Sequence, residues 1–82
     1  MIRRAELTDF LVVDGESLVI RDETVYRLGH VATAIVALAA EETSVEALAA
    51  ALEPRFGAPP EGTLEHAVEA QVSELRAAGL LA

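Results

Sequence analysis

The sequence predicts an α+β fold, three antiparallel strands followed by three helices (βββααα), and three observations predict it. Up to Leu28 the apolar residues alternate with a period of two, whereas from His30 onward they recur at about 3.6. Asp14-Gly15 stands between two short apolar runs, the dipeptide best suited to a type I′ hairpin because both central residues need positive φ. Helix-start signals recur at Thr43-Ser44 and Thr63, and Gly79 marks a stop. The stretch Val25-Tyr26-Arg27-Leu28-Gly29-His30 joins the two halves.

Taken in order, Met1 to Thr8 form a short arm, and Phe10 to Val13 the first strand. Ser17 to Arg21 form the second strand, Asp22-Glu23-Thr24 a turn, and Val25 to Leu28 the third. Short connections make this an antiparallel meander within residues 9–28. Leu18 and Ile20 share one face, as do Tyr26 and Leu28, with Arg27 on the side opposite Tyr26. No later strand exists to pair with the third, so one of its edges is expected to be open. An open edge beside a helix invites an extended peptide.

Gly29 breaks the third strand, and Val31, Ala34, Ile35 and Leu38 mark the stripe of a first helix over 30–40. A second helix is expected over 44–56, opened by Thr43 or Ser44, with Thr43 and Glu46 in capping-box spacing. Its stripe is Val45, Leu48, Ala49, Leu52 and Phe56, and Pro54 is expected to distort its last turn. The third, over 63–78, takes Thr63 as N-cap and Leu64, Val68, Val72 and Leu75 as its stripe. Gly79 ends it, and Leu80-Leu81 fold back as a hydrophobic seal.

Eighty-two residues make one small domain, residues 1–82. Apolar residues are 52% of the chain but aromatics only 4%, so the core is aliphatic, and Phe10, Tyr26 and Phe56 are expected as packing centres. A net charge of −8, with six Arg and no Lys, argues against nucleic acid and for a cationic or neutral partner. No apolar run reaches the length of a membrane span, and none has the form of a signal peptide. The absence of Cys excludes thiolate metal sites and is compatible with a cytoplasmic setting, the expected location. The sequence carries no signal for an oligomeric state.

Catalytic chemistry is missing. His30 and His66 fall on different helices without a ligand-spaced neighbour, so neither a metal site nor a cofactor is expected. Glu65 and Glu69 are one helical turn apart, which reads as a solvated face. The glycines are scattered singly, with no phosphate loop. Ser44 heads a helix but lacks the Asp and Gly that precede the attachment serine of carrier proteins. The chain reads as a non-enzyme.

Three strands ahead of three helices form a winged-helix-like arrangement with its sheet first, and at this level the chain resembles the PqqD-like family, or RiPP recognition elements, which bind leader segments of ribosomally made, later modified peptides. Val25-Tyr26-Arg27-Leu28 is similar to that family's Y-x-L ahead of the first helix. Ile35 falls at its helix-one aliphatic, and Ser44-Val45-Glu46-Ala47-Leu48 resembles its S-x-x-x-L. Val68, Val72, Leu75 and Gly79-Leu80-Leu81 resemble its closing V-x3-L-x2-L-x3-G-L-L. Gly29 stands where the family often has Asn, and Ala67 where it often has an acid.

The resemblance implies a stand-alone, non-catalytic adaptor that binds the leader of a precursor peptide and presents it to a modifying enzyme or leader peptidase. The leader adds as a strand to Val25, Tyr26, Arg27 and Leu28, with Ala67, Val68, Gln71, Val72 and Leu75 as the floor of a cleft. Val68, Val72 and Leu75 are equally explicable as core, and Tyr26 as a core ring whose hydroxyl reaches solvent. The alternatives are a winged-helix DNA-binding regulator, disfavoured by charge and by a third helix with only Arg76, and a subunit that stabilises an enzyme without touching a leader.

Overall fold

The computed structural model describes residues 1–82. Strands β1 (Asp9–Val13), β2 (Glu16–Arg21) and β3 (Thr24–Leu28) precede helices α1 (His30–Leu38), α2 (Val45–Phe56) and α3 (Leu64–Ala77). The sheet is an antiparallel meander in the order β1-β2-β3, so β2 is central and both outer strands have an open edge. Asp14 (φ 52°) and Gly15 (φ 79°) both take positive φ in the first hairpin, as the Asp-Gly dipeptide requires. A side chain at Gly15 would also collide with the His30 ring, whose Nε2 lies 3.1 Å from the Asp14 carbonyl oxygen. The first hairpin is thereby tied to the start of α1.

One face of the sheet lies on the helices and the other is bare. Ser17, Val19 and Leu28 are buried on the inner face, with Phe10 and Tyr26 partly buried beside them. Leu18 points outward and is exposed, so the core contribution of β2 comes from Val19 and the small Ser17. The Ser17 and Thr33 hydroxyls share a buried hydrogen bond of 2.8 Å, and Thr33 Oγ1 donates a second, 3.3 Å long, to the Leu28 carbonyl. These bonds satisfy the two polar side chains that reach the core and lock α1 to β2 and to the end of β3.

The aliphatic core is as expected, but its centre is not aromatic. Ile35, Leu48, Leu52, Leu80, Val19, Val36 and Val68 are its largest fully buried side chains. Phe10 and Tyr26 flank it, and Phe56 is exposed in the last turn of α2 with the Arg55 guanidinium 5.3 Å from its ring centroid. At the edge of the fold an aromatic ring finds too few neighbours to be enclosed. In α1 the buried face is Thr33, Ala34, Ile35 and Val36, continued by Ala39 just past its end and rotated away from the expected stripe: Leu38 is exposed and Val31 only half-buried. A helix apolar nearly all round gives periodicity little to distinguish, and contact with the sheet selects the face. The helix ends at Leu38, two residues short of the predicted limit.

Ser44, not Thr43, caps α2, its Oγ accepting the Ala47 N–H at 3.1 Å. The expected capping box is absent because Thr43 is engaged elsewhere: it exchanges two backbone hydrogen bonds of 2.8 Å with Ile2. That pairing brings the arm into the fold. Ile2 is buried, Arg4 N–H donates to the Ala39 carbonyl and Ala5 N–H to the Leu80 carbonyl, and Ala82 N–H donates to the Arg3 carbonyl. The arm thus stitches α1, the α2 start and the C-terminus together. Thr63 caps α3 as predicted, accepting the His66 N–H at 3.1 Å. At the other end Leu80 N–H donates to the Leu75 carbonyl and Gly79 N–H to that of Arg76, with Gly79 at φ 79°. This Schellman arrangement turns Leu80 and Leu81 into the core.

Candidate functional site

Strand β3 combines an open edge with a neighbouring groove. Which of its backbone groups face the edge follows from register. Arg21 and Thr24 close a two-residue turn and therefore form a hydrogen-bonded pair, and such pairs alternate along an antiparallel ladder. Val19 with Tyr26 and Ser17 with Leu28 are then hydrogen-bonded, whereas Ile20 with Val25 and Leu18 with Arg27 are not. On the far side of β2, the Ile20 carbonyl accepts the Thr8 N–H at 2.8 Å, as this alternation demands. The N–H and C=O groups of Val25 and Arg27 consequently point away from β2, giving four free backbone groups along the edge.

Beside this edge lies a groove of about 320 Å³ between the end of β3 and α3. Tyr26, Arg27, Leu28 and Gly29 form one wall, Gln71, Glu74, Leu75 and Ala78 the other, with Ala32 of α1 and Leu80 also lining it. The α3 residues follow i, i+3, i+4, i+7 spacing, so one stripe of the helix faces β3. The core stripe of α3, Val68, Val72 and Leu75, runs next to it. Leu75 belongs to both stripes.

The expected site residues therefore separate. Tyr26, Arg27, Leu28, Gln71 and Leu75 are brought together around the groove. Val25 lies on the edge with its side chain on the outer face, 60% exposed. Val68 and Val72 are 1% and 2% exposed and pack in the core instead of lining the groove. Ala67 is exposed on the groove stripe one turn before Gln71, beyond the groove itself. Sequence reasoning missed Gly29, Ala32, Glu74, Ala78 and Leu80 as lining residues. Counting i+3 and i+7 from Gln71 finds Glu74 and Ala78, but Ala32 depends on how α1 crosses.

The fold contains no group of His, Cys, Asp or Glu arranged to hold a metal ion. Arg76, the only cation of α3, donates from Nη2 to the Met1 carbonyl at 3.0 Å and from Nε to the Ala82 carbonyl at 3.2 Å. It braces the two termini and is not presented to a ligand.

The profile of coenzyme PQQ synthesis protein D (PqqD) matches residues 12–81, a span that runs from β1 through the closing Leu80-Leu81 turn. The chain belongs to the PqqD family. Searches of curated proteins and of solved structures returned no match. PqqD-family proteins are RiPP recognition elements, non-catalytic accessory proteins that bind precursor peptides and partner enzymes, so membership supports a RiPP-associated recognition role in general. No helix of this PqqD-family chain is long and apolar enough to cross a membrane.

Proposed function

We propose that this PqqD-family protein binds the leader of a ribosomally synthesised precursor peptide by strand addition to β3 and, without catalysing a step itself, presents it in the cytoplasm to a modifying enzyme or leader peptidase. The single observation that carries this reading is the open β3 edge, with Val25 and Arg27 pointing four backbone groups outward beside the α3 groove. Leader side chains opposite Tyr26 and Leu28 enter the groove, because directly opposed residues share a sheet face. Tyr26, Leu28, Gln71 and Leu75 receive them, and Val68 and Val72 hold α3 in place from the core side.

Four strand hydrogen bonds contribute about 2–6 kcal/mol net. Two buried apolar anchors add about 3–6 kcal/mol. Ordering the peptide opposes this by about 2–5 kcal/mol, and lost translational and rotational freedom opposes it further. The net affinity is therefore modest and depends on the anchors as well as on the edge.

The test is a titration, followed by fluorescence anisotropy, of the leader of a precursor peptide encoded beside this chain. Val25→Pro and Arg27→Pro each delete an outward N–H and spare the ladder to β2, so both are expected to fold by circular dichroism and to weaken binding at least tenfold. Arg27→Ala keeps the N–H and is expected to weaken it less. Unaltered affinity in both folded proline variants, or a larger loss from charge changes on α2, refutes strand addition.

A further inference from the structure

We propose that the bound peptide is read on both faces of the sheet, with Arg27 and Val25 forming a solvent-side strip that selects a carboxylate and, two residues later, an aliphatic side chain. The inference rests on strand addition to β3 and deepens it.

A sheet covered on one face ordinarily places polar residues on the other. Here the outer positions include Leu11, Val13, Leu18 and Val25, which are 50%, 70%, 44% and 60% exposed. Arg27 is the only cation among the outward positions of the three strands, standing directly opposite Leu18 on β2. Glu16, two residues along β2, is its diagonal neighbour, and with Asp14 in the outer depression and Glu74 across the groove it is one of three carboxylates of the chain that line the same surfaces as Arg27. Arg27 also borders both the inner groove and the shallow apolar depression on the outer face, so one residue connects the two surfaces.

Register converts this placement into a pattern. Arg27 and Val25 sit in non-hydrogen-bonded pairs with β2, and therefore form the hydrogen-bonded pairs with an added strand. A peptide residue opposite either one projects its side chain onto the outer face. In the antiparallel direction the residue opposite Arg27 comes two positions before the residue opposite Val25. The residue between them, opposite Tyr26, and the residue before them, opposite Leu28, turn into the groove. The selected order is groove anchor, Asp or Glu, groove anchor, then Val, Ile or Leu. With the chain at −8, a carboxylate elsewhere on the peptide meets net repulsion, whereas opposite Arg27 the local pair dominates because longer-range charge is screened.

An opposite-charge cross-strand pair corresponds to about 1.5- to 5-fold in affinity, and a like-charge pair costs a similar factor. The probe is a phage-displayed library of randomised twelve-residue peptides, selected separately on the parent protein, Arg27→Glu and Arg27→Gln, with each binder then measured against Val25→Pro. The parent is expected to enrich an acidic residue two positions before an aliphatic one. Arg27→Glu is expected to enrich Lys or Arg at that position with the flanking anchors unchanged, and Arg27→Gln to lose the charge preference. Peptides that lose affinity for Val25→Pro but show no acidic preference, or keep the same preference with Arg27→Glu, overturn the outer-face reading and leave strand addition standing. Binders indifferent to Val25→Pro overturn strand addition itself, and a library with no enrichment overturns both.

Discussion

Replacing Thr33 with Val keeps the branched shape of the side chain and removes its hydroxyl, and with it the side-chain hydrogen bonds that join α1 to β2 and to the end of β3. Thr33 and Ser17 are each 4% exposed, so water cannot take over the lost bond. The Ser17 hydroxyl is then buried without its partner, a situation that costs about 1–3 kcal/mol. Ser17→Ala should cost less, about 0.5–1.5 kcal/mol, because Thr33 Oγ1 retains the Leu28 carbonyl as acceptor. The double variant should cost no more than Thr33→Val alone, since no orphaned hydroxyl remains. For 82 residues total stability is about 4–12 kcal/mol, so the Thr33→Val loss is a measurable fraction of it. Urea denaturation followed by circular dichroism at constant m-value measures all three variants, and the double-mutant cycle isolates the coupling. Strict additivity, or a larger loss for Ser17→Ala than for Thr33→Val, refutes the reasoning. The contact matters for recognition because the Leu28 carbonyl sits at the end of the strand to which the leader is proposed to pair.

Leu75→Ala is expected to destabilise the fold by about 2–5 kcal/mol, as for any enclosed Leu, and a melting temperature equal to the parent's would show that Leu75 serves the groove alone. Gly79→Ala forces a left-handed backbone on a residue with a Cβ and directs that atom at the Arg21 guanidinium; a loss of about 1–2 kcal/mol in chemical denaturation is expected, and unchanged stability would show that the Schellman turn relaxes freely.

Element order, the first hairpin turn and the two ends of α3 were legible in the sequence because each is decided by neighbours a few residues apart. Asp14-Gly15 needs positive φ whatever surrounds it, Thr63 reaches its own helix N-terminus, and Gly79 ends α3 through bonds within six residues. The stripe Val68, Val72, Leu75 is equally local, since α3 is polar on its other faces and leaves one way to pack. The open edge of β3 followed from counting strands.

What needed the tertiary structure were choices between chemically similar residues. Val19 and Leu18 are both apolar, and only the position of the helices decides that Val19 is enclosed while Leu18 meets water. Val68 and Gln71 lie one turn apart on α3, and the crossing of that helix over β3 sends one into the core and the other to the groove. Thr43 and Ser44 are both able to cap α2, and the choice is made by Ile2, more than forty residues away, which claims Thr43 for the arm. Periodicity determines which residues share a face, because that is set by the backbone's own repeat. Which face is buried depends on partners distant in the chain, and these exist as neighbours only once it has folded.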